Sequence, residues 1–297
     1  MEALKILLDQ LNLQKTEELV FTGEPQRTSR MPRLFGGHVM AQALAAAIRT
    51  VPDKDVHSLH AYFLRGGSNS KSIRYEVEIL FDGRSFSTRQ VHASQDGECI
   101  FTLTCSFHNA EDGAFDHQIR GPAVPGPEGL KTEQERALEY VEKYPEPMRR
   151  FFTYERPFEI RPVTHDNPFL PRCREPENLT WVRTTGKVGD DTGLHATLLA
   201  WASDMHLLGT STLPHRFDTT GATLQAASLD HSIWFHRPFR ADEWLLYHKE
   251  GPSASGARGW NQGHFYNQAG DLVASVAQEG LIRSGPRKKG ASGPRKP

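Results

Sequence analysis

Three residue types that could carry chemistry in this chain are a carboxylate, a hydroxyl and a primary amide, at Asp204, Ser228 and Gln278. Together they can orient a water molecule for attack on a reactive carbonyl carbon, such as that of a thioester, without a covalent nucleophile. The carboxylate would accept the proton of the water, and the other two groups would fix its position and hydrogen-bond the transition state. Positioned proton transfer contributes about 10²–10⁴-fold to a rate, and a pre-aimed oxyanion donor about 10²–10³-fold.

Asp204 lies in a segment, residues 194–208, whose composition predicts a helix. Residues three and four positions away are its neighbours on a helix surface. All four are apolar: Ala200, Trp201, Leu207 and Leu208. A carboxylate on such a face needs hydrogen-bond partners to offset its desolvation. The alternative is an aspartate at the edge of the helix, where the end of the element is hard to assign.

Gln278 is the polar member of an otherwise apolar strand face in the predicted last strand. Alternate residues of a strand share a face. Its companions on that face are Leu272, Ala274, Val276, Gly280 and Ile282. A buried amide needs partners for two N–H donors and an acceptor oxygen, so Gln278 is either a site residue or a structural glutamine bonded to the backbone. Ser228 has no such support, because a serine in a strand is typical of polar surface.

The elements that must position these groups follow from the periodicity of the sequence. A short helix over residues 4–11 and an extended segment near residues 20–22 precede an Ala-rich helix over residues 38–51, which Gly36 and Gly37 open. A backbone N–H at the start of that helix is a candidate oxyanion donor. Alternation and turn signals predict strands elsewhere. These are residues 56–65, 72–81, 85–94, 98–108, 158–163, 179–185, 224–237, 243–250, 257–267 and 272–283.

The second half of the chain repeats the first. The sequence YFLR at residues 62–65 matches WFHR at residues 234–237, an offset of 172, and Gly97 matches Gly270, an offset of 173. Internal duplication of this kind indicates tandem structural units. A long helix wrapped by a bent antiparallel sheet, present twice, is the double hotdog arrangement, an α+β fold. By the same offsets, Val56 and Cys105 stand opposite Ser228 and Gln278, which predicts one active site per chain, carried by the second repeat.

Composition divides the chain into four parts. Residues 1–110 form the predicted N-terminal hotdog repeat. Residues 111–150 form a Pro- and Gly-rich linker with a predicted helical piece over residues 132–144. Residues 151–285 form the C-terminal catalytic repeat. Residues 286–297 form a basic, Gly- and Pro-rich tail that we expect to be disordered. The first repeat would serve as scaffold and as a wall of the substrate site.

Bulk properties exclude several classes of function. A net charge of −1 over 297 residues gives no electrostatic reason to expect a nucleic-acid partner. No apolar run approaches the ~18 residues of a membrane span, and the chain begins without a secretion signal. The three cysteines have no C-x-x-C spacing, so neither a disulfide nor a zinc site is expected. A cytoplasmic location is expected instead. The absence of a P-loop or dinucleotide fingerprint means that no cofactor or metal is expected.

The combined pattern resembles the thioesterase II family of acyl-CoA thioesterases, which has bacterial members and peroxisomal relatives. The resemblance covers residues 4–283 and is carried by residues 33–38, 57–65, 202–204, 228–239 and 277–280, above all by the run DHSIWFHRPF. It implies a double hotdog that hydrolyses acyl-CoA to free acid and CoA. It also implies a catalytic Asp, Ser or Thr, and Gln, which map onto Asp204, Ser228 and Gln278. Bacterial members often carry Thr where this chain has Ser228.

Two other functions are compatible with the same pattern. A hotdog enoyl-CoA hydratase or dehydratase would pair a carboxylate with a histidine acid–base, which the set of Asp, Ser and Gln lacks. A non-catalytic acyl-CoA-binding module would bind without turnover. In each case acyl-CoA is the expected small-molecule partner. Because hotdog sheets commonly associate, a homo-oligomer, either a dimer or a tetramer, is also expected.

Overall fold

The structure, a computed structural model, describes residues 2–26, 33–143, 155–164, 174–215 and 224–284. Within these residues thirteen strands form one antiparallel sheet. The first half contributes β1 (Gln14–Glu17), β2 (Val20–Gly23), β3 (Asp55–Phe63), β4 (Ile73–Asp82), β5 (Phe86–Gln95) and β6 (Glu98–His108). The second half contributes β7 (Phe158–Pro162), β8 (Glu177–Thr184), β9 (Leu224–Ser228), β10 (Asp230–Phe235), β11 (Leu245–Ser255), β12 (Arg258–Tyr266) and β13 (Leu272–Ser284).

The structure describes five α-helices. They are α1 (Glu2–Leu11), α2 (Gly36–Ile48), α3 (Glu133–Leu138), α4 (Thr192–Ser203) and α5 (Leu207–Thr210). Helix α3 begins with a capping box, in which Thr132 and Glu135 satisfy each other's backbone N–H groups. Over the part of the chain that the structure describes, no helix is both long and apolar enough to cross a membrane.

The order of strands in the sheet is symmetric about its centre. The path runs β1-β2-β4-β5-β6-β3-β10-β13-β12-β11-β8-β7, with β9 also paired to β13. At the centre, Tyr62 of β3 pairs with Asp230 of β10, and Ser58 pairs with Trp234. An offset of 172 residues exchanges the members of these pairs, so the two halves are related by a local twofold axis between β3 and β10.

The turns at Gly97 and Gly270 support the same alignment of the repeats. Their φ angles are +81° and +82°, in the left-handed region that glycine adopts without a steric penalty. The matched sequence positions therefore perform matched structural roles. The predicted α+β arrangement of one long helix against an antiparallel sheet, present twice, is what the chain adopts.

Helices α2 and α4 pack against each other and run in opposite directions. Near the end of α2, a Cβ atom on Gly193, which lies at the start of α4, would be 3.0 Å from the side chain of Ile48. At the other end, the backbone N–H of Gly37 contacts the side chain of Asp204. The abundance of alanine in α2 allows this close approach, and most of its residues are buried. The pair places the start of the first repeat's helix beside the end of the second repeat's helix.

Several predicted elements differ from those observed. The helix predicted over residues 194–208 ends at Ser203, and His206 has a φ of +61° before α5 begins. The strand predicted over residues 224–237 is interrupted at Leu229. The helical piece predicted in the linker extends only over Glu133–Leu138. The predicted tail, residues 286–297, and Cys173 lie outside the described residues.

Candidate active site

Asp204 caps the C-terminal end of α4 and is half-buried. A carboxylate there faces the negative end of the helix dipole, which is unfavourable. The start of α2 offsets this, because the N–H of Gly37 donates to Asp204 Oδ2 over 2.9 Å. The N-terminus of a helix attracts anions through its free N–H groups and its dipole. The carboxylate on the second repeat is therefore held by a backbone group of the first.

The other oxygen of Asp204 accepts hydrogen bonds from the two remaining predicted residues. Gln278 Nε2 donates to Asp204 Oδ1 over 2.6 Å, and Ser228 Oγ donates to the same oxygen over 3.2 Å. Gln278 Nε2 also lies 3.1 Å from Ser228 Oγ. The structure thus brings Asp204, Ser228 and Gln278 together from a helix end and two different strands.

The interruption at Leu229 explains how Ser228 reaches this cluster. In β9, Ser228 pairs with Gly280 of β13, two residues from Gln278 and on the same face. In β10, Ser232 pairs with Ala277, on the opposite face. The pairing register therefore shifts by one residue across Leu229, which turns Ser228 to the inner face. An uninterrupted strand over residues 224–235 would place Ser228 and Ser232 on the same face. The structure places them on opposite faces.

The structure distinguishes between the two alternatives for Asp204 and between the two for Gln278. Asp204 does lie at a helix edge, but its carboxylate accepts hydrogen bonds from polar groups of both repeats. Gln278 is only 1% exposed, and its amide nitrogen bonds to side chains rather than to the backbone. The N–H of Gly37, considered as an oxyanion donor, points instead at Asp204.

His231 and Ser203 are site residues that the pattern alone did not single out. His231 Nδ1 lies 3.0 Å from Gln278 Nε2, and His231 Nε2 lies 2.9 Å from Ser203 Oγ. Burial lowers the pKa of His231 to about 4, although the charge of Asp204 opposes this shift. His231 shares the inner face of β10 with Ile233, so a histidine on an apolar strand face was the available signal.

Substitution of Gly36 by alanine is expected to lower kcat about 10- to 100-fold, because small displacements of a catalytic group have effects of that size. A Cβ atom at Gly36 would lie 2.7 Å from Asp204 Oδ2 and 2.9 Å from the ring of Phe63. The carboxylate would have to move. Steady-state rates of purified protein measure the effect.

Gly66→Ala provides the matched control, because a Cβ atom there would lie 3.6 Å from the side chain of Arg33, an ordinary contact. Gly66→Ala should retain full activity. A Gly36→Ala protein with an unchanged kcat would show that the start of α2 does not position Asp204.

Two family models match the chain. "Acyl-CoA thioesterase" matches residues 147–281, and "Acyl-CoA thioesterase N-terminal domain" matches residues 25–108. Acyl-CoA thioesterase 2 of Haemophilus influenzae is 40% identical over 283 residues, which cover 95% of this chain and 98% of the relative. Human acyl-coenzyme A thioesterase 8 is 40% identical over 285 residues, which cover 93% of this chain and 88% of the relative.

Solved structures agree with this relationship. An acyl-CoA thioesterase II from Mycobacterium marinum superimposes with a TM-score of 0.75 at 37% identity, over 97% of this chain and 99% of that chain. A protein with a hot dog fold from Alicyclobacillus acidocaldarius gives a TM-score of 0.73 at 17% identity, over 93% and 97% of the two chains, and supports the fold alone. The chain therefore belongs to the acyl-CoA thioesterase family, has the double hotdog fold and is a thioester hydrolase.

Proposed function

We propose that this enzyme hydrolyses fatty acyl-CoA to free fatty acid and CoA by direct attack of a water molecule activated by Asp204, Ser228 and Gln278. The observation that carries the proposal is the convergence of two donors on Asp204 Oδ1, with Gln278 Nε2 at 2.6 Å and Ser228 Oγ at 3.2 Å. These contacts fix the carboxylate as a proton acceptor of defined orientation. In the proposed reaction none of the three residues forms a covalent acyl intermediate.

Two acceptor positions in the cluster suit the two protons of a water molecule. Among the described residues, Gly37 alone donates a hydrogen bond to Asp204 Oδ2, and a carboxylate oxygen can accept a second. Gln278 Oε1 is buried and has no hydrogen-bond partner within the described ranges. A water that donates to both oxygens would direct its remaining lone pairs at the thioester carbon. Bridging two acceptors in this way removes the rotational freedom that a free water would have to lose in the transition state.

The proposed reaction needs no reactant besides the thioester and water. The water oxygen bonds to the carbonyl carbon while one water proton passes to Asp204, which gives a tetrahedral oxyanion. The oxyanion then reforms the carbonyl as the carbon–sulfur bond breaks. The departing thiolate of CoA takes the proton from Asp204, so free acid and CoA thiol leave and the carboxylate is restored.

His231 does not supply the histidine acid–base that a hydratase would need. Both of its ring nitrogens are engaged by protein groups, Gln278 and Ser203, and its low pKa keeps the ring neutral at physiological pH. The geometry therefore favours hydrolysis over hydration of an enoyl-CoA. The homo-oligomeric state and the cytoplasmic location remain predictions of the sequence.

The reaction class is tested by incubating purified protein with saturated acyl-CoAs of several chain lengths and with an enoyl-CoA, in the presence of a thiol reagent. Release of free thiol from saturated acyl-CoA is the expected result. Hydration of the enoyl-CoA without thiol release would support a hydratase. Tight binding of acyl-CoA with no turnover would support a binding module, and either result would contradict the proposal.

A further inference from the structure

A chain of four hydrogen bonds leads from the end of α4 to the carboxylate of Asp204. Ser203 Oγ donates to the carbonyl oxygen of Ala200 over 2.9 Å and lies 2.9 Å from His231 Nε2. His231 Nδ1 lies 3.0 Å from Gln278 Nε2, which donates to Asp204 Oδ1 over 2.6 Å. The three side chains in the middle are 0–1% exposed, so water does not compete for these contacts.

The groups at the two ends of this series determine which atom donates and which accepts in each of its hydrogen bonds. A carboxylate and a backbone carbonyl can only accept, so the amide of Gln278 must turn its nitrogen to Asp204. The second N–H of that amide then points at His231 Nδ1, which must accept. A neutral imidazole with an accepting Nδ1 carries its proton on Nε2. Ser203 Oγ accepts the hydrogen bond from His231 Nε2–H and donates its own to the carbonyl oxygen of Ala200.

Burial keeps His231 in this one state. It lowers the pKa of His231 to about 4, so the ring is neutral near pH 7 even beside the charge of Asp204. The opposite tautomer would present Nδ1–H to the nitrogen of Gln278, and the amide would have to rotate. A rotated amide would place Oε1 against Asp204 Oδ1, which is a repulsive contact between two acceptors.

We infer that His231 is a positioning residue for thioester hydrolysis, which orients the amide of Gln278 towards Asp204, and that Ser203 selects the His231 tautomer required for this. The inference rests on the proposed function, because it assumes that Gln278 takes part in the reaction. His231 touches no reacting atom and acts only through Gln278. Because the amide nitrogen faces Asp204 and His231, Gln278 Oε1 has no partner among the described residues and is available to accept from the attacking water.

A buried histidine that only fills space predicts a different result. Its removal would loosen the strand and lower activity by a factor independent of residue 278. A histidine that acts through Gln278 predicts an effect that disappears when the amide is absent. Mutations of residues that share one network are not additive, and a double-mutant cycle measures this coupling directly.

The test is a cycle of His231→Leu, Gln278→Leu and the double variant, with kcat and KM measured for acyl-CoA. We expect His231→Leu alone to lower kcat about 10- to 100-fold with little change in KM. In the Gln278→Leu background it should cause no further loss. His231→Asn should recover part of the activity, because Asn Oδ1 and His Nδ1 are acceptors separated from Cα by the same number of bonds.

If His231→Leu does not fold, Ser203→Ala replaces it in the cycle, because this substitution removes only a hydroxyl. It should lower kcat in the native background and have no effect beside Gln278→Leu. Equal losses in both backgrounds, or no loss in the native background, would overturn the inference while leaving the proposed function intact. An unchanged kcat in Gln278→Leu itself would instead overturn the proposed role of Gln278, and the inference with it.

Discussion

Substitution of Asp204 by asparagine is expected to lower kcat about 10²–10⁴-fold, the range for loss of a positioned proton acceptor. All three partners of the Asp204 carboxylate donate hydrogen bonds: Gly37, Ser228 and Gln278. Asparagine has nearly the same shape but offers one acceptor oxygen and an NH₂ group. It removes the base and also turns one of these contacts into a clash between two donors. Release of CoA thiol by the purified variant measures the loss.

Asp190→Asn is a suitable control for this substitution. The side chain of Asp190 is 94% exposed and pairs with Arg240 at the surface. The same change of charge should leave kcat unchanged there. An Asp204→Asn protein that folds normally and keeps kcat within about threefold of the native value would rule out Asp204 as the general base, since positioned proton transfer contributes at least about 10²-fold.

The elements of the fold were predictable because each depends on a local period. The segments over residues 72–81, 85–94 and 98–108 are rich in Val, Ile, Phe, Thr and Tyr and are separated by turn signals. Strands β4, β5 and β6 match them within one residue at each end. The repeat was visible because equivalent residues, such as Gly97 and Gly270, perform the same local task in both halves. Local patterns of this kind need no knowledge of what packs against them.

The site was predictable where a polar residue interrupts an apolar pattern. Gln278 breaks the regular inner face of β13, and that irregularity identified it. The face pattern could not identify Ser228, because the break at Leu229 changes which residues share a face. A one-residue shift of register transfers side chains to the other face of a sheet. Only the family resemblance therefore indicates Ser228 as a candidate site residue.

Contacts between the repeats depend on packing, which periodicity does not encode. The hydrogen bond from Gly37 to Asp204 joins residues 167 positions apart and exists because α2 and α4 pack in opposite directions. No local pattern predicts which helix start meets which helix end. The consequence is that the first repeat is more than a scaffold, because it donates a hydrogen bond to the candidate base.

The two halves differ at the positions of two proposed site residues. Cys105, the counterpart of Gln278, is buried and contacts the carbonyl oxygen of Arg89, and burial raises the pKa of its thiol. Val56, the counterpart of Ser228, is also buried. A buried thiol and a valine cannot provide the amide and hydroxyl that the second repeat offers Asp204. This asymmetry supports the prediction of one active site per chain.

Substitution of Gln278 by leucine is expected to lower kcat about 10²–10³-fold, the range for removal of one pre-aimed polar group. Leucine approximates the volume of glutamine, so the inner face of β13 stays filled. It removes the N–H donors that reach Asp204 and His231, and the buried oxygen proposed to hold the water. The carboxylate would lose its shortest hydrogen bond, and the water would lose one of its two acceptors.

Gln262→Leu is the matched control for the Gln278 substitution. Gln262 lies on the adjacent strand β12, directly opposite Ala277, so it faces away from Gln278 and bonds to Glu250 instead. The same change of residue type in the same sheet should leave kcat unchanged there. Thermal unfolding of both variants checks that the sheet is intact. If Gln278→Leu retained native kcat, or if both variants lost activity equally, the loss could not be assigned to the amide beside Asp204, and the proposed arrangement of the water would be wrong.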